Sequence, residues 1–599
     1  MIPQIVIRIV FPMLLLTVAK SQTQPKVSIP GLGVVIGETY NFYRDEYPVI
    51  DKNLDVYRGI PFAQPPVGQY RFAKPAPVTP WEGEYNATYF RKACLQTFYY
   101  DNNLANEDCL HLNIWTPNPS PANAPVMVFI HGWAFLYGSV VPEVMGLIYD
   151  GTALVGFHDI VYVSIHYRLN SYGFLATGDP ELPGNYGLWD QLEALKWINQ
   201  YISAFGGDPN KVTIFGQSTG AASIGMHLVS PHSWNYFNQG VMESGTGTSP
   251  WAIQHDIAEA YKEAEFIARD CGCDTSSSAA MVACLRDVPA KNISRATDKI
   301  ILTSTTFMPL VAVVDGDFLS DKPLNLLQAG NFFQGNILLG TNKDDGTLNA
   351  AFAYPDQLPR RNPYSDRERF ESELQDGLRT YRNDLILEGI MHTYVDWKLA
   401  DDPDANYFFT YVDVMTDENY GCPTDTYARA FAEAGQSVFL YQFTHLPSNY
   451  HMDIPPWGGV AHGEELPCVF GAAFNPDYLF DQTPEERNLS LEVMTAWTNF
   501  AKTGSPNMDD PEKEWKPYTL PDLSYKDFSP VFTDKRALKS ETCHMWNNFV
   551  PKMITFAADL KEEERQWREE FYDWTHESMP DWRDAFEEYE KLIPNKCNE

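Results

Sequence analysis

A serine between two glycines lies in the stretch Gly-Gln-Ser-Thr-Gly at residues 216–220, a G-x-S-x-G pattern centred on Ser218. The pattern alone is a weak signal, but here it follows the apolar stretch Val-Thr-Ile-Phe and precedes a segment with helical spacing. A sharp turn from strand to helix exposes a serine hydroxyl, and Gly216 and Gly220 leave room for such a turn. The sequence therefore predicts that Ser218 is a catalytic nucleophile.

A serine hydroxyl needs a general base, and that base needs a carboxylate to orient it. Where a strand-to-helix turn carries the serine, the acid follows it in the chain and the histidine comes last. His462, in the late glycine-flanked stretch Trp-Gly-Gly-Val-Ala-His-Gly, is the candidate base. The stretch Asn-Lys-Asp-Asp-Gly ends a predicted strand and offers two acids, Asp344 and Asp345, between which the pattern does not decide. We expect neither a metal nor a cofactor.

These residues need a scaffold, and the chain around them alternates short apolar stretches with segments of helical spacing. Strands are expected at residues 124–132, 159–169 and 211–218, and helices at 185–202 and 220–230. Later strands are expected within 332–347 and 437–445. The alternation predicts an α/β fold with a mostly parallel sheet flanked by helices.

Composition bounds the class of protein. The 599-residue chain has a formal net charge of −35, which argues against nucleic acid as a partner. Residues 1–21 combine Arg8, an apolar run and small residues near Ser21, which predicts a cleaved secretory signal. Secretion agrees with nine cysteines and with three glycosylation sequons, at Asn86, Asn292 and Asn488. We therefore expect a secreted, extracellular glycoprotein.

The C-terminal segment, residues 557–599, is dense in charge and has regularly placed aromatic residues. They recur at steps of four and three, which places two sets on a helical face: Trp567, Phe571, Trp574 and Trp582, Phe586, Tyr589. We expect a separate amphipathic helix whose aromatic stripe is covered by a partner.

Long stretches of the chain resemble the cholinesterase/carboxylesterase family (type-B carboxylesterases) in sequence and in order. They are YRGIPFAQPPVGQYRF, NEDCLHLNIWTP, NYGLWDQLEALKWI, FGGDPNKVTIFGQSTGAAS, NKDDG and WGGVAHGEELPCVFG. The resemblance implies an α/β-hydrolase domain over residues 22–556. It implies a serine carboxylic-ester hydrolase that acts through an acyl-enzyme on choline esters, neutral esters or both.

The resemblance also assigns roles to residues. It places the nucleophile at Ser218, the base at His462 and the acid at Asp345, where the family mostly has Glu. It implies three disulfides and two reduced, buried thiols: Cys94–Cys109, Cys273–Cys284 and Cys422–Cys543, with Cys271 and Cys468 left over.

The oxyanion hole departs from the family pattern. Its donors would be the backbone N–H groups of Trp133, Ala134 and Thr219, whereas the family usually has glycines at the first two positions. Peptide N–H groups survive this substitution, but Trp and Ala are strained if their φ angles are positive.

The substrate pocket also departs from the cholinesterase pattern. Gln217 stands where cholinesterases carry Glu, and the loop between Cys94 and Cys109 lacks their Trp, leaving Phe98, Tyr99 and Tyr100 as aromatic substitutes. The substrate-binding candidates are Gln217, Trp251, Met308 and Trp457. Thr306 and Met308 stand roughly where acetylcholinesterase narrows its acyl pocket with Phe, which implies a wider acyl pocket here. A choline esterase of relaxed specificity and a general carboxylesterase both stay open.

The tail resembles the tetramerisation helix of T-type cholinesterases, four of which wrap a proline-rich anchoring peptide. Here Trp574 and Trp582 are eight residues apart and Pro580 interrupts the helix, so we expect dimerisation through Cys597 and leave a tetramer open. An anchor of this kind would tether the protein to a cell surface or matrix. The alternative to an esterase is a binding, adhesion or organophosphate-scavenging protein on the same fold.

Overall fold

The computed structural model describes residues 24–558 except 46, 97–102, 305–307, 379–382, 401, 450–454, 476–481 and 508–513, together with scattered positions from 567 to 589. Several predictions fall outside the described residues: the signal at 1–21 and the roles of Phe98, Tyr99, Tyr100, Thr306, Pro580 and Cys597.

The predicted α/β fold is confirmed. Sixteen strands and seventeen α-helices are formed by the described residues. The strands are β1 Lys26–Ile29, β2 Gly33–Ile36, β3 Glu38–Arg44, β4 Ile50–Pro61, β5 Glu84–Asn86, β6 Ala93–Cys94, β7 Ala105–Asn106, β8 His111–Asn118, β9 Ala124–Ile130, β10 Val161–Ile165, β11 Gly207–Gln217, β12 Gln239–Glu243, β13 Ile337–Asn342, β14 Val438–Phe443, β15 Ser524–Phe528 and β16 Thr533–Arg536. The helices are α1 Thr152–His158, α2 Asn170–Phe174, α3 Tyr186–Tyr201, α4 Thr219–Val229, α5 Ile257–Asp270, α6 Ser278–Asp287, α7 Ala290–Thr303, α8 Pro323–Gln328, α9 Thr347–Ala353, α10 Arg367–Gly377, α11 Asp384–Tyr394, α12 Phe408–Thr416, α13 Cys422–Glu433, α14 Leu466–Val469, α15 Pro484–Thr503, α16 Ser540–His544 and α17 Val550–Ala558.

Eleven of these strands form one sheet, in the order β16-β15-β14-β13-β12-β11-β9-β10-β8-β4-β3. The central strands pair in parallel from β10 through β9, β11, β12, β13 and β14 to β15, while the strands at both edges pair antiparallel. Helices cover both faces, so the central strands are buried almost throughout and read as continuous apolar runs. In such a sheet, functional residues gather beyond the carboxyl ends of the parallel strands.

Three disulfides join the pairs that the family resemblance implies: Cys94–Cys109, Cys273–Cys284 and Cys422–Cys543. Of the two remaining thiols, Cys468 is buried as expected, but Cys271 is partly exposed. Cys271 is partly exposed because it is the residue directly after the last turn of α5.

The aromatic residues of the tail lie on helical positions and are exposed. The rings of Trp567 and Phe571 stack with 5.3 Å between centroids, and those of Phe571 and Trp574 lie 6.1 Å apart. No helix in the described part of the chain is both long and apolar enough to cross a membrane.

Candidate active site

The nucleophile lies at a strained turn between a strand and a helix. Ser218 follows the last residue of β11 and precedes the first residue of α4, with φ 59° and ψ −127°. A Cβ on Gly216 would lie 2.5 Å from the Ile130 carbonyl oxygen, and one on Gly220 would lie 2.0 Å from the same atom. Both flanking glycines are therefore required, because the turn presses against the end of β9.

The base and the acid meet the serine turn from two later loops. His462 Nδ1 lies 2.8 Å from Asp345 Oδ1. The other carboxylate oxygen, Oδ2, accepts hydrogen bonds from Asn342 N at 2.8 Å and from Ser244 Oγ at 2.9 Å. A carboxylate only accepts, so Nδ1 carries the proton and the lone pair of the neutral ring is on Nε2. This is the tautomer that a general base for Ser218 needs.

The two candidate acids have different tasks. Asp345 faces His462, whereas the Asp344 carboxylate accepts a hydrogen bond from Val460 N at 2.8 Å. The backbone N of Asp344 donates to the Val460 carbonyl at 3.0 Å, so Asp344 holds the loop that carries the histidine. The role assigned to Asp345 by resemblance agrees with this geometry.

The side chain of Gln217 lies against the catalytic imidazole. Its Nε2 is 3.1 Å from His462 Nε2, and both side chains are almost fully buried. Among the hydrogen bonds of the described residues, none joins the Ser218 hydroxyl to the imidazole. Gln217, which was expected to bind substrate, is thus hydrogen-bonded to the nitrogen atom that would accept the serine proton.

The oxyanion loop carries the strain that its sequence predicts. Trp133, Ala134 and Phe135 have φ angles of 76°, 61° and 58°, the left-handed region that favours glycine. The loop is held by its neighbours: Phe135 N donates to Thr219 Oγ1 at 3.3 Å, and Asn170 N donates to the Phe135 carbonyl at 2.7 Å. Within the described residues, the N–H groups of the predicted donors, Trp133, Ala134 and Thr219, have no protein acceptor.

The indole of Trp133 is fixed as well. Its Nε1 donates to the Tyr149 hydroxyl at 3.1 Å, and Tyr149 is buried. This hydrogen bond therefore ties the indole to the fold.

An aromatic wall stands beside the imidazole. The Tyr420 ring lies 4.9 Å from the His462 ring, and the Trp251 ring lies 5.9 Å from Tyr420. The Tyr420 hydroxyl donates to Asn349 Oδ1 at 3.3 Å. Sequence reasoning found Trp251 and missed Tyr420 and Asn349. Their only signals are position: Tyr420 comes two residues before the disulfide residue Cys422, and Asn349 four residues after Asp345.

The two other predicted substrate-binding residues contact core residues. The Trp457 ring packs edge-on against Phe408, 4.9 Å away, in a cluster separate from that of Trp251. Met308 is buried in the same cluster as Trp251. Within the described contacts, neither side chain touches the three catalytic candidates.

Two buried carboxyl groups lie under the site. Glu465 contacts the Asn342 side chain, and burial together with Asp345 raises the pKa of Glu465 to about 7. Glu243 accepts a hydrogen bond from Trp497 Nε1 at 2.6 Å, and burial followed by the nearby Glu465 raises its pKa well above the ordinary value. Among the hydrogen bonds of the described residues, neither carboxyl group bonds to Ser218 or to His462. Within the described residues, no group of His, Cys, Asp and Glu side chains is arranged to hold a metal ion.

The eleven-stranded sheet, with the serine at a strand-turn-helix and the acid and histidine on later loops, has the architecture of the α/β-hydrolase fold. The chain belongs to the carboxylesterase family, whose sequence model matches residues 23–546. It is 36% identical over 572 residues to an acetylcholinesterase of Bungarus fasciatus, which covers 92% of this chain and 91% of that protein. It is 35% identical over 566 residues to a cholinesterase of Mus musculus, covering 90% of each chain.

Proposed function

We propose that this protein hydrolyses carboxylic esters through an acyl-enzyme formed on Ser218. The observation that carries the proposal is the His462–Asp345 pair, which is oriented by hydrogen bonds on both carboxylate oxygens and lies beside the serine turn. Family membership supports an ester hydrolase as the reaction class.

In the proposed reaction, Ser218 Oγ attacks the ester carbonyl carbon while His462 Nε2 takes the hydroxyl proton. The negative charge that develops on the carbonyl oxygen is stabilised by the N–H groups of Trp133, Ala134 and Thr219. The carbon–oxygen bond to the alcohol then breaks, and His462 returns the proton to the departing alkoxide. Water, deprotonated by the same imidazole, attacks the acyl carbon and releases the acid and the serine.

We propose that the protein accepts choline esters and uncharged esters with little preference between them. A neutral Gln217 supplies no charge for an ammonium group; a carboxylate about 6 Å away would contribute roughly 2–3 kcal/mol at an effective dielectric of about 20. The rings of Trp251 and Tyr420 offer a cation–π contact of about 0.5–2 kcal/mol. Asn349 makes this wall partly polar, which suits an uncharged polar ester as well as a cation.

The test compares kcat/KM for acetylthiocholine, butyrylthiocholine and 3,3-dimethylbutyl thioacetate, the uncharged isostere of the first. We expect the values to lie within about 30-fold of one another, the upper limit of the cation–π contact, since no full charge contributes. A hundredfold preference for acetylthiocholine would refute the predicted lack of charge selectivity, and no turnover by wild type together with no covalent labelling of Ser218 would refute the hydrolase. Ser218→Ala is the matched control for both measurements.

A second candidate is a slow scavenger that is acylated or phosphonylated and turns over poorly. The strained loop at Trp133–Ala134 and the Gln217–His462 contact favour it. Stoichiometric labelling by a fluorophosphonate, without steady hydrolysis of any of the three thioesters, would select this alternative.

We further propose that the protein is secreted and forms a dimer or tetramer through its C-terminal helix, with or without a proline-rich anchoring peptide. The exposed aromatic cluster of Trp567, Phe571 and Trp574 supports this, because a contiguous exposed apolar patch favours burial by a partner. Light scattering of the secreted full chain should show an oligomer that a triple alanine variant of these residues, combined with Cys597→Ser, reduces to monomer. A monomeric wild type would refute the proposal.

A further inference from the structure

We propose that Gln217 is a positioning residue for the proposed hydrolysis: in the resting protein its amide occupies His462 Nε2, and it must turn away before Ser218 can transfer its proton. The inference rests on the proposed function. It assigns Gln217 a control over the base, beyond a place in the substrate pocket.

The competition is for a single lone pair. His462 Nδ1 is committed to Asp345, so Nε2 is the one ring nitrogen that can accept a proton from the serine. The Gln217 amide donates to that atom at 3.1 Å. Gln217 is 5% exposed and His462 is 6% exposed, so bulk water does not readily replace the contact. While it persists, the serine hydroxyl lacks its acceptor.

Turning the amide over does not release the base. With its oxygen towards the ring, the amide would bond to a protonated Nε2, and a protonated imidazole cannot take the serine proton. In both orientations Gln217 therefore opposes the reactive arrangement, and the side chain as a whole has to move.

The imidazole is the less mobile partner. His462 is fixed by Asp345 on one edge and by the Tyr420 ring, 4.9 Å away, on its face. Its loop is bound by Asp344 through Val460. The described hydrogen bonds of the Gln217 amide, by contrast, comprise the one to His462. Gln217 is thus the group whose rotation opens the site.

Two consequences follow from one hydrogen bond. A neutral hydrogen bond contributes about 2- to 13-fold to an equilibrium, so removing it should speed activation of Ser218 by that factor. The same bond stabilises the unprotonated ring. Its removal should therefore move the acid limb of the pH–rate profile upward by about 0.4 to 1 pH unit. A side chain that only shapes the pocket would not move that limb. Asp345 and Glu465, whose pKa is raised to about 7 by burial and Asp345, also face the imidazole, but both are unchanged in the Gln217 variants, so a difference in the limb between variants reports the Gln217 contact.

The experiment measures the second-order rate of Ser218 labelling by an uncharged fluorophosphonate from pH 5 to pH 9. Variants are Gln217→Ala and the near-isosteric Gln217→Glu, which keeps the proposal testable if the alanine variant does not fold. Gln239→Ala is the matched control. Gln239 is a buried glutamine at the start of β12, whereas Gln217 pairs with Glu243 at the end of that strand. The Gln239 amide donates to Thr213 and to the Phe500 carbonyl, away from the site.

We expect Gln217→Ala to label about 2- to 13-fold faster at the plateau, with the acid limb shifted upward, and Gln239→Ala to match wild type. Gln217→Glu should shift the limb upward further, because an ionised carboxylate stabilises the imidazolium. Labelling of wild type with no acceleration and no shift in the Gln217 variants would overturn the inference and leave the hydrolase standing. Failure of every variant and of wild type to label would overturn the proposed function and the inference together.

Discussion

The strained oxyanion loop gives the sharpest prediction, which concerns Tyr149. Its hydroxyl accepts the indole hydrogen bond of Trp133 at 3.1 Å, and the loop holds three successive residues in the left-handed region. Replacing Tyr149 with Phe removes that acceptor while keeping the ring and its packing. We expect the loop to lose part of its fixed geometry, and turnover to fall.

The magnitude comes from two quantities. Three non-glycine residues at positive φ store about 3–6 kcal/mol in total, which the contacts of the loop must hold in place. Tyr149 is 2% exposed, so water does not substitute for its hydroxyl, and an indole N–H left without an acceptor costs about 1–3 kcal/mol. If relaxation of the loop misplaces the donors, this corresponds to a loss of about 5- to 160-fold in kcat.

The assay is steady-state hydrolysis of an uncharged thioester, with kcat separated from KM. The loss should fall on kcat, because the oxyanion donors act on charge that develops in the transition state. Tyr162→Phe is the matched control: Tyr162 is also buried, and its hydroxyl donates to the Tyr149 carbonyl at 2.9 Å, whereas the indole donates to the Tyr149 hydroxyl. Equal kcat values for the two variants would refute a role of the Trp133 clamp in catalysis.

Two further predictions concern the carboxylate that orients His462 and the stability of the fold at low pH. Asp345→Asn should lower kcat by about 10⁴-fold through loss of the productive tautomer, and Asp344→Ala by no more than about tenfold, in the same thioester assay; similar losses would contradict the separate roles. Burial lowers the pKa of His227 to about 3, so His227 stays neutral in the fold while the unfolded chain protonates below about 6.5. Stability is therefore present above that pH and lost as pH falls, by about 2 kcal/mol from this group between pH 7 and pH 5. In denaturant titrations, His227→Gln should shrink the pH 7 to pH 5 difference by that amount, and an unchanged difference would contradict the assignment.

Elements with strong local patterns could be predicted from the sequence. The strands β9, β10, β13 and β14 and the helix α3 lie within the segments where they were expected, whereas β11 begins four residues before its expected segment and α4 one residue before. Buried parallel strands and amphipathic helices have local signals, and the serine turn has its flanking glycines. The mixed edges of the sheet were not expected, since antiparallel pairing there depends on contacts between distant segments.

The sequence indicates which residue types the site contains, but it does not indicate which side chains contact one another. Asp344 and Asp345 are adjacent and chemically identical, and only the fold directs one to the imidazole and the other to Val460. Gln217 was identified as a neutral neighbour of the serine, but its reach to His462 crosses 245 residues of chain. Tyr420 is brought to the imidazole by a π-helical turn at Asp417–Gly421, which has no sequence signal.

The oxyanion loop at Trp133–Ala134 and the side chain of Gln217 both depart from the family pattern. They act on different atoms of the reaction, but their backbones lie in contact. A Cβ on Gly132, just before the strained loop, would lie 2.5 Å from the Gln217 carbonyl oxygen. Relaxation of the loop should therefore reach Gln217, and groups in contact couple by about 0.5–3 kcal/mol. In a double-mutant cycle of Tyr149→Phe and Gln217→Ala, the labelling rates should depart from the product of the single effects by more than about twofold. Multiplicative effects would show that the base and the oxyanion loop are controlled independently.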